Sequence, residues 1–234
     1  MKLLPSFLTA VSVSLLSATA HATTLASWDV WADNSGSELD ADFTFAGFTA
    51  SIGYDASRAI TGFGSNDGTF GTLSGASTAS SALLVREDNG TSLTLTLTNN
   101  TVSAYSIDTL NFDFISRQGS SSGRNGFTTF DITYTSGGLG AGGTAIGTQV
   151  VQTPTAGITN ANLPDYDYTL SDYLADTTLG AGESAVFTFD FEGNLGHDGS
   201  SISSLLDNVA FTGTAMIPSH PLTQCLRASS RLEL

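Results

Sequence analysis

The sequence predicts an all-β protein, a single domain built as an antiparallel two-sheet sandwich of jelly-roll-like order. Three observations carry that prediction. Apolar and polar residues alternate with a period of two through most of the segment 25–214. The stretches between alternating runs are dense in Gly, Asn, Asp and Ser, which supply positive-φ positions and side-chain-to-backbone hydrogen bonds in turns. Helical periodicity is almost absent: only LSDYLAD (170–176) is spaced for one or two turns, with Ser171 as its cap.

The runs justify themselves in chain order. LASWDVW (25–31) opens the domain; Trp28 and Trp31 are three apart, so on a strand they face opposite sides and at most one is exposed. DFTFAGFTASI (42–52) and ALLVRE (82–87) follow, separated by GFGSNDGTFGTLSGASTASS (62–81), a long loop of low complexity. EDNG (87–90) then reads as a hairpin, because Asn-Gly suits a type I′ turn. SLTLTLT (92–98) puts Leu93, Leu95 and Leu97 on one face and threonines on the other. DTLNFDFIS (108–116) buries Leu110, Phe112 and Phe114 and turns Asn111 and Asp113 outward. TTFDITYT (128–135), GTQVVQ (147–152), AVFTFDFE (185–192) and LDNVAFTG (206–213) complete about nine or ten strands. With wet outer faces, that number folds as two packed sheets; a closed barrel is the alternative.

The front of the chain is a leader. MKLLPSFLTAVSVSLLSATAHA has a positive start at Lys2, an apolar run, and a small-x-small site, so cleavage is expected between Ala22 and Thr23. Three parts result: a signal peptide over 1–22, the sandwich over 23–215, and a tail over 216–234. The chain carries 7 basic residues against 22 carboxylates, a net charge of −15, and its one lysine leaves with the leader. Such a surface repels nucleic acid and anionic membranes, whose binding depends on cationic side chains. The single cysteine, Cys225, forms no internal disulfide, so stability rests on the core.

No residue constellation commits to catalysis. Asp190 and Glu192 project from one strand face into solvent, whereas a glycosidase needs a pair with one raised pKa. His197-Asp198 sits in a Gly-rich turn without a nucleophile motif. The chain therefore reads as non-enzymatic. LPDYDYTLSDYLAD (163–176) offers the candidate glycan site, Tyr166 and Tyr168 with Asp165 and Asp167: rings stack on sugar faces and carboxylates accept hydroxyl protons. The same residues also describe a loop whose tyrosines pack on the sandwich edge. Two glycosylation sequons occur, at Asn89-Gly90-Thr91 and Asn99-Asn100-Thr101.

Two resemblances add to this reading. The closing run LLDNVAFTG (205–213) resembles the last strand of carbohydrate-binding jelly rolls, which implies Asp207 as a ligand of a structural calcium, the one candidate cofactor. The export leader, the lysine-poor Ser/Thr/Gly-rich strands, LTNNTVSAYSIDTLNFDF (97–114) and LLDNVAFTGTA near the C-terminus resemble the PEP-CTERM family of exported bacterial proteins. That family carries Pro-Glu-Pro, an apolar span and an Arg-rich end, is sorted by a membrane protease, and is linked to biofilm and exopolysaccharide. This chain departs from the pattern at Ile217-Pro218. With suitably chosen codons, a back-translation with one base restored near codon 218 regroups Ile217–Ala228 as Ile-Pro-Glu-Pro-Ser-Ser-Tyr-Ala-Met-Leu-Ala-Gly, so a frame shift is expected to have replaced the sorting signal. As written, the tail has Arg227, Arg231 and Glu233 and forms no membrane anchor. The expectation is a secreted, non-enzymatic matrix or surface sandwich with a polysaccharide as candidate partner; the alternative is a carbohydrate-binding module.

Overall fold

The computed structural model describes residues 22–31, 38–54, 59–61, 63–78, 81–85, 91–118, 126–156, 163–193 and 204–216. The leader before Ala22, the EDNG turn, Asn89, His197, and the tail beyond Met216 lie outside the described residues.

In chain order the strands are β1 (Thr23–Trp28), β2 (Glu38–Asp40), β3 (Phe43–Thr44), β4 (Phe48–Tyr54), β5 (Ala59–Thr61) and β6 (Thr69–Phe70). Next come β7 (Leu73–Ser74), β8 (Ala82–Val85), β9 (Ser92–Asn99), β10 (Tyr105–Gln118), β11 (Thr129–Gly137) and β12 (Thr144–Ala145). The last are β13 (Val150–Val151), β14 (Thr155–Ala156), β15 (Asp165–Thr169), β16 (Thr178–Leu179), β17 (Ser184–Glu192) and β18 (Ser204–Ala215). One 3-10 turn spans Leu170–Asp172; its N-cap is Thr169, not Ser171, and no side chain caps it. Among the described residues no helix is long and apolar enough to cross a membrane.

The strands form the expected two-sheet sandwich. One sheet runs β14-β10-β18-β1-β3, with β15 and β16 on β10 and β8 on β18; the other runs β12-β11-β17-β9-β4-β2. All pairings are antiparallel except β10 with β14. The predicted EDNG hairpin is corrected by this order: β8 pairs with β18 and β5, while β9 pairs with β4 and β17. β8 and β9 therefore belong to different sheets. The run 42–52 is likewise two strands, broken at Gly47, whose φ of +86° only glycine adopts easily.

Alternation decides what is inside. β9 reads Leu93, Leu95, Leu97 inward, and β17 answers with Phe187, Phe189 and Phe191, all buried. Across the sandwich Phe112 meets Phe189 with ring centroids 5.0 Å apart, and Phe114 meets Phe130 at 4.9 Å, both edge to face. Trp28 and Trp31 are both buried, so neither is an exposed platform.

β18 breaks the half-wet pattern, being buried continuously from Ser204 to Gly213. Its inner face (Leu206, Val209, Phe211) joins the main core, while Leu205 belongs to a second cluster with Ala82 and Leu163, flanked by Phe63, Leu84 and Ile115. That second cluster is separate from the main core, and Phe63 is the residue of the segment 63–78 that packs against it. A sheet covered on both faces needs apolar residues on both.

Asn99 of the second sequon is fully buried at the end of β9. Its amide donates to the carbonyls of Ser103, Leu179 and Gly180, and its Oδ1 accepts from the Thr101 backbone and hydroxyl. The side chain is a structural bracket, closed to a glycan in the folded chain.

Candidate functional site

The segment 63–78 is a cover rather than a bare loop. It forms the β6–β7 ribbon and lies over the outer face of β18, β10 and β15. Aspartates on those three adjacent strands hold it down. Ser65 N–H donates to Asp207 at 2.7 Å, Gly71 N–H to Asp113 at 3.0 Å, and Thr72 N–H to Asp167 at 3.1 Å. Ser77 N–H donates to Asp29 at 2.6 Å. Gly71 has φ +51°, and a Cβ there would stand 2.3 Å from Asp167 Oδ1, so the close approach needs glycine. Phe63 adds an apolar hold, with the Arg117 guanidinium 5.0 Å from its ring centre.

Register lines up the acids. Asp113 of β10 stands directly opposite Asp165 of β15 and opposite Asp207 of β18. Between Asn111↔Ala210 and Asp113↔Asp207 the pairing skips, so β18 carries one extra residue there. Asn208 takes up the bulge with φ +46°, a left-handed conformation that asparagine tolerates better than most residues. The bulge brings the Asn208 amide to Asp113 Oδ2 at 2.9 Å. Asp67, from the cover, completes the group: Asp67, Asp113 and Asp165 each bring an oxygen to within 4.8 Å of the others. Asp113 is buried, Asp67 half-buried and Asp165 exposed, so the group opens to solvent on one side.

The sequence-predicted residues divide sharply. Asp165 and Asp167 do face outward from β15, one in the acidic group and one holding the cover. Tyr166, half-buried, and Tyr168, buried, are the two rings of the candidate glycan site. In an alternating strand they share the inner face, and their rings stack on Phe112 at 5.3 and 6.0 Å. Burial pushes the Tyr168 hydroxyl up to about 12, and Tyr166 Oη accepts from Gln152 Nε2 at 2.5 Å. Asp207, the predicted calcium ligand, is fully buried with both oxygens occupied: Oδ1 accepts from Trp31 Nε1 (2.5 Å) and Asn208 N–H (2.9 Å), Oδ2 from Ser65 N–H. It fastens; the open acidic group lies beside it. The sequence offers SNDGT (65–69), which contains Asp67, as oxygen-rich but without EF-hand spacing, and turns Asp113 outward; their meeting was not legible, since it depends on cross-strand register and on where the cover lands. Ala22 is exposed just before β1, and Thr23 is paired with Gly213.

Asp190 and Glu192 are exposed, as expected. With Asp131, the cross-strand partner of Asp190, and Thr91 and Thr133, they line an open depression of about 350 Å³ on the other sheet.

Burial sets the electrostatics of the covered acids. It pushes Asp113 up to about 8; hydrogen bonds from Ser65 and Asn208 oppose the rise and the Asp67 charge adds to it. It pushes Asp207 up to about 8 as well, against donors from Ser65, Asn208 and Trp31. Asp165 is raised by burial and by the charges of Asp67 and Asp167. Because folded values exceed the unfolded value near 4, the folded chain holds extra protons between about pH 4 and 8. Their contribution to stability is fully present below pH 4 and is lost as pH rises through 8. In chelator, urea midpoints should therefore fall from pH 5 to pH 8, the unfolding free energy dropping by at most about 1.4 kcal/mol per pH unit for each of Asp113 and Asp207. A midpoint that climbs over that range contradicts the assignment.

No protein-family model matches the chain, and no curated protein matches it. Among solved structures it is similar to the crystal structure of the Bacteriophage CBA120 tailspike protein 4 enzymatically active domain. The identity is 14% and the TM-score 0.30, over 71% of this chain and 19% of that chain's length.

Proposed function

We propose that this chain is exported and serves outside the cell as a non-enzymatic β-sandwich, a component of the surface or of an exopolysaccharide matrix. The observation that carries the reading is the use made of its deepest carboxylates. Asp207 and Asp113 are spent on backbone N–H groups of the cover, with Asp167 and Asp29 beside them, which is the work of a scaffold. The leader before Ala22 and the lysine-free, acidic remainder support export and solubility outside the cell. The resemblance to PEP-CTERM proteins supports the matrix setting.

A carbohydrate-binding module is the second reading. With the tyrosines turned inward, the place for it is the depression lined by Asp131, Asp190, Glu192 and Thr133, whose oxygens suit sugar hydroxyls. One experiment separates the readings. The chain, expressed from its own leader, is expected in the medium with Thr23 as its first residue. Applied to a glycan array, a scaffold captures nothing, whereas a module captures a glycan and loses it in Asp190→Asn. A cytosolic product still carrying Met1 overturns both.

A further inference from the structure

We propose that Asp67, Asp113 and Asp165 form a binding site for a calcium-class divalent cation, with the side-chain oxygen of Asn208 as a further ligand. Two independent observations meet here. The first is the convergence of three carboxylates from three chain segments, the cover, β10 and β15, with oxygens within 4.8 Å of one another. Two oxygens on opposite sides of one calcium, each at about 2.4 Å, stand about 4.8 Å apart, so the group fits around a single ion. The second is Asn208: the residue is fully buried, its amide nitrogen donates to Asp113 Oδ2, and among the described residues its Oδ1 has no hydrogen-bond partner. A buried acceptor without a partner is rare in a native fold and asks for an ion or a water. This oxygen shares its carbon with the nitrogen that touches Asp113, which puts it beside the acidic group.

The donor chemistry selects the ion. Carboxylate and amide oxygens suit hard cations, and the group contains neither imidazole nor thiolate, which zinc and copper favour. Oxygens gathered irregularly from a cover and two strands suit the flexible coordination of calcium better than the strict octahedron of magnesium. Asp165 is exposed, so the ion enters from that side and water completes its shell. The donors that reach Asp113 from Gly71 and Asn208 are neutral, and a divalent ion would supply the positive charge that favours the ionised form of all three acids. A site with three carboxyl ligands, open on one side, belongs to the weak class of extracellular modules, with Kd on the order of 10⁻⁴–10⁻³ M.

The test is thermal unfolding of the full chain, stripped with EGTA and then titrated with calcium chloride at constant ionic strength. At about ten times Kd, Tm should rise by about 3–6 °C. Magnesium should give a smaller rise at the same concentration. Asp165→Asn, at an exposed position, should fold and weaken the calcium response at least about tenfold, while Asp190→Asn on the other sheet should leave it intact. Terbium luminescence, displaced by calcium in the wild type and weakened in Asp165→Asn, gives a second readout. The site is refuted by an unchanged wild-type Tm, or by an equal rise in Asp165→Asn, which would mark general screening of an acidic surface.

Discussion

Phe112→Ala is expected to lower the unfolding free energy by about 3–5 kcal/mol, the range for removing a buried aromatic ring. The residue is fully buried at the centre of the sandwich. Its ring meets Phe189 at 5.0 Å and Phe130 at 5.7 Å from the opposite sheet, and stacks on Tyr166 and Tyr168 from β15. Truncation therefore opens a cavity among four aromatic neighbours, fixed on three strands, that have little freedom to close it. For a chain of this size the loss corresponds to a fall in Tm of about 10 °C. The matched control is Phe43→Ala: that ring is 48% exposed on the short strand β3, and its loss should stay within about 1 kcal/mol. Urea unfolding of the two variants checks the pair. Equal midpoints would mean that the aromatic layer is not what holds the sheets together.

That layer is the part of the fold most legible in the sequence. Period-two runs placed Leu93, Phe112, Phe130 and Phe189 inside because a strand offers only two faces and one of them must be dry. The same rule turns Tyr166 and Tyr168 inward once 165–169 is a strand; reading that stretch as a loop hid the alternation. The outward side was less legible. Asn111 and Asp113 do leave the sandwich interior, yet both are buried, because the segment 63–78 lies over them. A Gly/Ser/Thr-rich stretch carries no periodic signal for where it packs, so the oxygens of SNDGT (65–69) were legible but not where the cover sets Asp67. The bulge left a faint mark: Leu206 and Val209, both in the main core, are three apart where a regular strand would give two. That misfit is the sequence trace of the bulge at Asn208.

The second large effect is expected at Asp207, whose removal acts on the cover rather than on the core. Asp207→Ala leaves three donors without their acceptor: Trp31 Nε1, Ser65 N–H and Asn208 N–H, all on buried residues. Each orphaned buried donor costs about 1–3 kcal/mol; water entering the vacated space recovers part of it, so a total of about 3–5 kcal/mol is expected. Asp207→Asn keeps one acceptor oxygen but turns an NH₂ group toward one of the donors, and should lose about half as much. The distinguishing readout is local. Amide exchange at Ser65 and Gly71 should accelerate beyond the global change, because the cover is released before the sandwich opens. Tryptophan emission should also change, since the indole of Trp31 loses its carboxylate partner. A variant with wild-type exchange at Ser65 would show that something other than Asp207 fastens the cover. Ser65 is two residues from Asp67, and its hydroxyl donates to that carboxylate at 3.0 Å. Loosening Ser65 must therefore loosen Asp67 as well, and the calcium-induced rise in Tm should shrink in Asp207→Ala although Asp207 is not itself a ligand.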